Sequence, residues 1–260
     1  MTRTTAIVDL NADMGEGYGP WSMGDDIALL DVVTSANVAC GFHAGDPSTM
    51  AATFAAARVR GVAIGAHPGF DDKPGFGRRP IPHTTAEVER LVAYQIGAAQ
   101  AVAALAGHRI SYVKAHGALN NIAQTDTGIA RAIAAATRAV DRDLMLLVMP
   151  ETAAERTARD AGLVIALEVF ADRAYLDDLT LAPRSIPGAV LHDAEAIAAR
   201  VTRMVTTGRV ETVSGATRAV GIDSICLHGD TPGAVASARA VRAALAAAGV
   251  RLAPFAGIPA

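Results

Sequence analysis

The sequence predicts an α/β fold built on a parallel sheet, in one domain covering residues 1–260. Three observations predict it. Short apolar runs alternate along the chain with longer helical patterns, the signature of strands joined by helical crossovers. The runs are rich in Val, Ile and Leu without clean polar alternation, which suits parallel strands buried on both faces. The length, with 51% hydrophobic residues, is ample for a sizeable core, and no Pro/Gly/Ser-rich linker or internal repeat divides it.

The elements follow in order. Residues 1–5 lack the long apolar stretch of a signal peptide and lead into a first strand at 6–10. The second strand is expected at 37–40. Asp46 then Pro47 sets an N-cap before a proline at the first helical position, and Gly61 closes that helix. A third strand follows at 62–66. Thr84 with Glu87 fits a capping box before a long Ala-rich helix to about Gly107. Strands at 110–114, 144–148 and 163–170 come next. Asp193 can cap a helix that ends near Gly208. The seventh strand is 224–227, after which Thr231-Pro232 opens a last helix ending at Gly249. Much of the apolar content is Ala, which favours closely packed helices. Seven parallel strands can close into a barrel or lie open as a doubly wound sheet. Two segments read as functional loops: 68–83, rich in Gly and Pro, and 171–190, with neither helical nor strand period.

Composition excludes several classes. A net charge of -3 without a clustered basic face argues against nucleic-acid binding. No run of eighteen apolar residues exists, so no membrane-spanning helix is expected. The two cysteines, Cys40 and Cys226, sit in or beside apolar strands and read as small core residues of a reducing compartment, the cytoplasm.

The polar chemistry gathers at one place. The first strand runs into Asp9, Asn11, Asp13 and Glu16; the second leads to His43 and Asp46, and the third to His67. The fourth delivers Lys114 and His116. The sixth carries Glu168, then Asp172 and Arg173, and the seventh ends at His228 and Asp230. Only the fifth ends blandly, at Met149-Pro150-Glu151. Ligands of parallel α/β folds bind at the carboxyl ends of the strands. Any one such residue can instead be a helix cap or a satisfied core group; Asp46 and Asp230 stand just before helices, and Glu16 can sit in a turn. Six clusters at the same end are harder to assign to capping. His43, His67, His116 and His228 with Asp9 or Asp13 are suitable metal-ligand types, but there is no HExxH motif or cysteine pairing, and no resident metal is expected. The glycine-rich first loop matches neither the dinucleotide fingerprint nor the Walker A pattern, and no GxSxG occurs.

Seven segments together carry a family resemblance. They are Asp9-Leu-Asn-Ala-Asp-Met-Gly-Glu16, Asn37-Val-Ala-Cys-Gly-Phe-His-Ala-Gly-Asp-Pro47, Gly65-Ala-His-Pro-Gly69, Gly75-Phe-Gly-Arg-Arg79, Val113-Lys-Ala-His-Gly-Ala-Leu-Asn120, Glu168-Val-Phe-Ala-Asp-Arg-Ala-Tyr175 and Leu227-His-Gly-Asp230. The chain resembles, over nearly its whole length and in order, the LamB/YcsF family, understood as the A subunits of prokaryotic 5-oxoprolinase. Two departures are visible: Ala115 stands where the family carries Pro, and Gly69 where Ser is common. Neither removes a polar group.

The resemblance implies a distorted seven-stranded (β/α) TIM-like barrel, similar to glycoside hydrolases and polysaccharide deacetylases. It implies ATP-dependent opening of the lactam of 5-oxo-L-proline to L-glutamate, with two partners, the B and C subunits, and ATP accompanied by Mg2+. The candidate catalytic set is Asp9, Asn11, Asp13, Glu16, His43, Asp46, His67, Lys114, His116 and Glu168; Arg79, Asp172, Arg173, His228 and Asp230 are candidates for substrate binding. Lys114, Arg79 and Arg173 suit a substrate anion, the histidines suit acid–base work near neutral pH, and Asp9, Asp13 and Glu168 suit orienting a histidine, acting as base or holding magnesium. Two other readings stay open: a metal-dependent carbohydrate deacetylase or hydrolase, and a binding subunit whose partners do the chemistry.

Overall fold

The computed structural model describes residues 6–230 and 233–256. Its first strand, β1 (Ile7–Met14), sets the architecture. Side chains alternate across a strand, so Val8, Leu10, Ala12 and Met14 share one face and Asp9, Asn11 and Asp13 the other, and all seven are buried. The apolar set packs under the surrounding helices. The polar set bonds to side chains of strands far off in sequence, which places it in the interior of a closed barrel.

After β1 come α1 (Asp26–Leu30), β2 (Ser35–Ala39), α2 (Pro47–Arg60), β3 (Ala63–His67), α3 (Thr85–Leu105) and β4 (Ile110–Val113). Then follow α4 (Gly117–Ala123), α5 (Thr127–Val140), β5 (Met145–Val148), α6 (Ala153–Asp160), β6 (Ile165–Phe170) and α7 (Ala194–Thr207). A hairpin of β7 (Arg209–Glu211) and β8 (Thr217–Ala219) precedes β9 (Ser224–Leu227), α8 (Ala234–Ala247) and β10 (Arg251–Leu252). Strands β1 to β6 and β9 pair in parallel, and β9 returns to β1, closing a seven-stranded barrel. The choice between barrel and open sheet is thereby settled. The distortion lies at the amino end, where Ile7 and Val8 pair with β10 while Asp9 to Ala12 pair with β9.

The punctuation of the sequence is mostly realised. Asp46 accepts from the amides of Ser48 and Thr49 at 2.8 and 2.9 Å, and Gly61 ends α2 at φ 65°. Thr84 and Glu87 form both arms of the capping box. Asp193 caps α7, and Gly208 ends it at φ 65°. Thr231-Pro232 lies outside the described residues; α8 starts after Gly233. The hairpin β7–β8 and the short β10 were not anticipated. The first strand was expected to stop at Leu10, but it runs on to Met14, because its polar residues face a polar interior instead of ending the strand. No helix of the described residues is long and apolar enough to cross a membrane.

The barrel floor is a hydroxyl cage. Asp9 Oδ1 accepts from Thr34 Oγ1 and Ser35 Oγ, both at 2.6 Å, and Oδ2 accepts from Ser224 Oγ. Above it, Tyr112 crosses the interior, with its ring against Gly65, where any Cβ would overlap it, and its hydroxyl donating to Asn37 Oδ1 at 2.7 Å. A glycine on β3 is therefore a condition for placing Tyr112 inside.

Burial pushes the Asp9 carboxyl up to about 6, although the Ser224, Ser35 and Thr34 hydroxyls pull the other way. A folded-state value above the ordinary aspartate value of about 3.9 means that the protonated form favours the fold. That contribution is complete below about pH 4 and is lost as pH rises through about 6. Denaturant titrations should therefore show the parent losing stability relative to Asp9→Asn between about pH 4 and 6, with a constant difference above. Parallel pH profiles for the two proteins would contradict the assignment.

Candidate functional site

Above this floor the interior becomes ionic. Lys114, the residue after β4, is 3% exposed, and its Nζ lies 3.0 Å from Asp13 Oδ1, 3.0 Å from Glu168 Oε1 and 3.0 Å from Cys226 Sγ. Burial alone would drive the proton off the ammonium, but the facing carboxylates, Asp13 foremost, outweigh it and hold Lys114 charged. Reciprocally, Asp13 stays ionised well below the usual carboxylate range despite its burial, through Lys114 and then His67. Two asparagines complete the lattice. Asn11 Nδ2 donates to Glu168 Oε1 at 3.0 Å and Ser224 Oγ at 2.7 Å. Asn37 Nδ2 donates to Asn11 Oδ1 at 2.6 Å and Asp13 Oδ1 at 2.9 Å.

Three histidines from three strand ends meet beside Asp13. His67 ends β3, His116 is the residue before α4, and His43 lies in the turn after β2. The His43 and His116 rings stack face to face with centroids 3.7 Å apart, and His67 stands edge-on to both, at 5.5 and 4.8 Å. Gly77, at φ 62°, lies against the stack, where a Cβ would collide with His43 and His116. His67 Nδ1 is 2.8 Å from the carbonyl of Lys114, and His116 Nε2 is 2.8 Å from that of Phe76. Carbonyls only accept, so each of these nitrogens carries its hydrogen. His67 Nε2 and His116 Nδ1 then face each other at 3.0 Å, with Asp13 Oδ1 3.4 Å from the former. Burial holds His43 and His116 well below the ordinary histidine range. Both ring nitrogens of His43 are buried without a hydrogen-bond partner. Glu16 is buried alongside, its carboxyl raised well above the usual range by burial and by the charges of Asp13 and Asp230.

A cavity of about 590 Å³ opens over this cluster at the carboxyl end of the barrel. Asp13, His67, Lys114 and His116 form its inner wall; Arg78, Arg173, Arg184 and His228 are among its other lining residues, with Asn120, Gln124, Phe170 and Leu181. Arg173 donates to the carbonyl of Ala182 at 2.7 Å, but its buried Nε has no partner. Burial and the adjacent Arg184 charge push the Arg173 guanidinium down to about 10. Arg78 pairs with Asp230 at 2.6 Å. His228 Nδ1 lies 2.9 Å from both oxygens of Asp172, an arrangement that makes Nδ1 the donor and leaves Nε2 as an acceptor.

The structure thus gathers Asp13, Glu16, His43, His67, Lys114, His116 and Glu168 in one cluster, with Asp172, Arg173, His228 and Asp230 around the cavity. Other sequence candidates fall elsewhere. Asp9 lies in the barrel floor with no exposed surface, and Asn11 lies fully buried in the lattice below the cavity. Asp46 is committed to capping α2 and to the Gly19 amide at 2.7 Å, which holds its carboxyl low. Arg79 turns outward, 63% exposed, to pair with Asp72. Lys114, a candidate cation for a substrate anion, stays within the cluster and directs its ammonium to Asp13, Glu168 and Cys226. Sequence reasoning missed Arg78 and Arg184 as cavity residues, and Asn37, Tyr112 and Cys226 as interior partners. Arg184 does lie in the segment 171–190 that reads as a binding loop. Asn37 shares strand phase with the inward residues.

Comparison with known proteins agrees with this geometry. The profile of the LamB/YcsF family matches residues 8–260. The 5-oxoprolinase A subunit of Rhodopseudomonas palustris strain BisA53 is 58% identical over 250 residues, covering 96% of this chain and 98% of that protein. The protein of the same name from Gluconobacter oxydans strain 621H is 54% identical, covering 95% and 97%. The crystal structure of a lactam utilization protein from Thermus thermophilus superposes with a TM-score of 0.90 at 48% identity, covering 95% of this chain and 99% of that one. A putative cellobiose-phosphate cleavage protein from Enterococcus faecalis V583 shares the fold, with a TM-score of 0.57 at 14% identity, covering 97% and 98%.

The ionic lattice makes a stability claim. Removing the cation from Lys114 leaves Asp13 and Glu168 buried and uncompensated, a loss of about 3–5 kcal/mol for a broken buried pair. Lys114→Met should lower the denaturation midpoint accordingly. The same substitution in a Glu168→Gln background should cost distinctly less. Equal costs in the two backgrounds would show that the Lys114–Glu168 pair carries no such coupling.

Proposed function

The chain belongs to the LamB/YcsF family, and on that premise we propose that it is the A component of an ATP-dependent 5-oxoprolinase. The reaction converts 5-oxo-L-proline, ATP and two waters to L-glutamate, ADP and phosphate. The names of its relatives, a 5-oxoprolinase component and a lactam utilization protein, support the reading. The single observation that carries it in this chain is the cation-rich cavity above the histidine cluster. Arg173, Arg184 and Arg78 converge there, and the Arg173 Nε is buried and unpaired. Unpaired buried donors beside like charges call for an anion. The substrate is a carboxylate, and its activated form adds a phosphoryl group.

An unstrained lactam is a poor electrophile because amide resonance protects its carbon. Phosphorylation of the lactam oxygen by ATP, with Mg2+ on the nucleotide, removes that protection. One water then attacks the ring carbon and the C–N bond breaks as the nitrogen takes a proton, leaving an acyl phosphate that the second water hydrolyses to carboxylate and phosphate. In this chain the arginines hold the anionic groups. His228, oriented through Nδ1 by Asp172, presents Nε2 as the base for the attacking water. The sequence carries no Walker A pattern, and we assign the nucleotide site to the partner B and C subunits. Both cysteines are free and buried, in keeping with a cytoplasmic setting.

Glutamate release measured with ATP and 5-oxoproline tests this directly. We expect none from the chain alone and turnover once both partners are added. Robust ATP-dependent turnover by the isolated chain, or none by the full assembly, would overturn the proposal. Within the assembly, exposed Arg184 can be replaced without disturbing the core. Arg184→Ala should lower kcat/KM for 5-oxoproline about 10- to 100-fold, the equivalent of the ~1.5–3 kcal/mol typical of a hydrogen bond to a charged group, with an unchanged melting temperature.

A further inference from the structure

We propose that Glu16, His43, His67 and His116 form a site for one divalent transition-metal ion, of the zinc, cobalt or manganese class, in the wall of the cavity. The inference is independent of which reaction the cavity serves. One donor atom from each of the four buried residues can be chosen so that all lie within 4.8 Å of one another. They come from three different turns and the end of β3, so the barrel, and not a local motif, assembles them.

Hydrogen bonding points to a cation at the centre. The carbonyls of Lys114 and Phe76 take the N–H groups of His67 and His116. The lone pairs of the two remaining nitrogens are thereby aimed at each other across 3.0 Å. Two lone pairs at that distance repel unless something positive lies between or beside them. A shared proton would answer this pair, but it leaves both ring nitrogens of His43 buried and unpartnered. It also leaves Glu16 buried close to the charges of Asp13 and Asp230. A dication answers the facing pair and Glu16 together, and gives His43 a partner once its ring tilts toward the ion.

The donor set selects the ion. Imidazole nitrogen with a single carboxylate suits zinc and its first-row neighbours, whereas magnesium and calcium prefer oxygen shells. The backbone carbonyls that fix the two tautomers are the outer-shell partners usual for metal-bound histidine. His43 lies flat against His116, so an ion in the plane of one ring lies off the plane of the other. His67, His116 and Glu16 are therefore the primary donors, and His43 joins by tilting off the stack. An ion there borders the cavity that His67 and His116 line, where it can polarise a ligand oxygen or activate a bound water.

Cobalt(II) titration of the full chain, stripped with a chelator, reads the site without any activity assay. The expected result is one cobalt per chain with visible d–d bands, displaced by zinc. No thiolate charge-transfer band should accompany them, because neither Cys40 nor Cys226 is a donor. Glu16→Gln and His67→Gln, checked for folding by circular dichroism, should weaken binding by more than the about 10- to 100-fold that loss of an outer-shell partner costs. Absence of d–d bands in the parent protein overturns the proposal, as do unchanged spectra and affinity in the folded variants. These outcomes are separable from failure of the glutamate-release assay, which does not read cobalt.

Discussion

The ammonium of Lys114 is the interaction on which the upper half of this barrel depends. Most (β/α) barrels fill their interior with branched apolar side chains. Here the inward positions of β1, β2, β6 and β9 include Asp, Asn, Glu and Ser, and a single buried cation between Asp13 and Glu168 makes that lining tolerable. Its position dictates much else. Asp13 remains ionised because Lys114 faces it, and an ionised Asp13 sets the field felt by His67 and Glu16. Asn11 and Asn37 transmit the same lattice across the barrel through short side-chain bonds. Low dielectric makes such networks strong when complete and costly when broken. The lattice reaches the histidines above through Asp13, whose Oδ1 lies 3.4 Å from His67 Nε2.

Much of this was legible in the sequence, and the failures have a common cause. The seven barrel strands and the capped helices α2, α3 and α7 were readable from apolar runs and cap residues, because those signals are local. The site was readable as a set of polar strand ends. The depth of each residue was not. Val8, Asp9, Leu10, Asn11, Ala12, Asp13 and Met14 alternate strictly, and that alternation marks one strand with a polar inner face. Read with a greasy barrel in mind, the same residues look like a strand that stops at Leu10 and a polar loop after it. A strand ending at Leu10 puts Asp9 next to the carboxyl end, whereas Asp9 lies in the floor among Thr34, Ser35 and Ser224.

Neighbours in sequence were separated by turn geometry that no pattern announces. Arg78 and Arg79 are adjacent, yet one lines the cavity and the other turns outward to Asp72, because the short helical turn at Lys73–Gly75 presents the Asp72 carboxylate to that side. Asp46 and Asp230 both follow a strand and precede a proline-opened segment in the sequence. Asp46 became a cap, while Asp230 pairs with Arg78 beside the cavity. Capping and chemistry draw on the same residue types, so the choice between them is made by the fold and not by the local sequence.

The double pairing of β1 bears on how the chain is made. Its last barrel partner, β9, lies more than two hundred residues further on, and β10 follows later still. During synthesis, β1 leaves the ribosome long before the strand that closes the ring exists. Until then the growing sheet carries an open edge, a hazard for association between nascent chains. A lining of Asp, Asn and Ser gives the open ring a wettable inner face in place of a sticky one. The ion lattice that confers charge order on the finished barrel also suits a protein that must wait, half closed, for its own end.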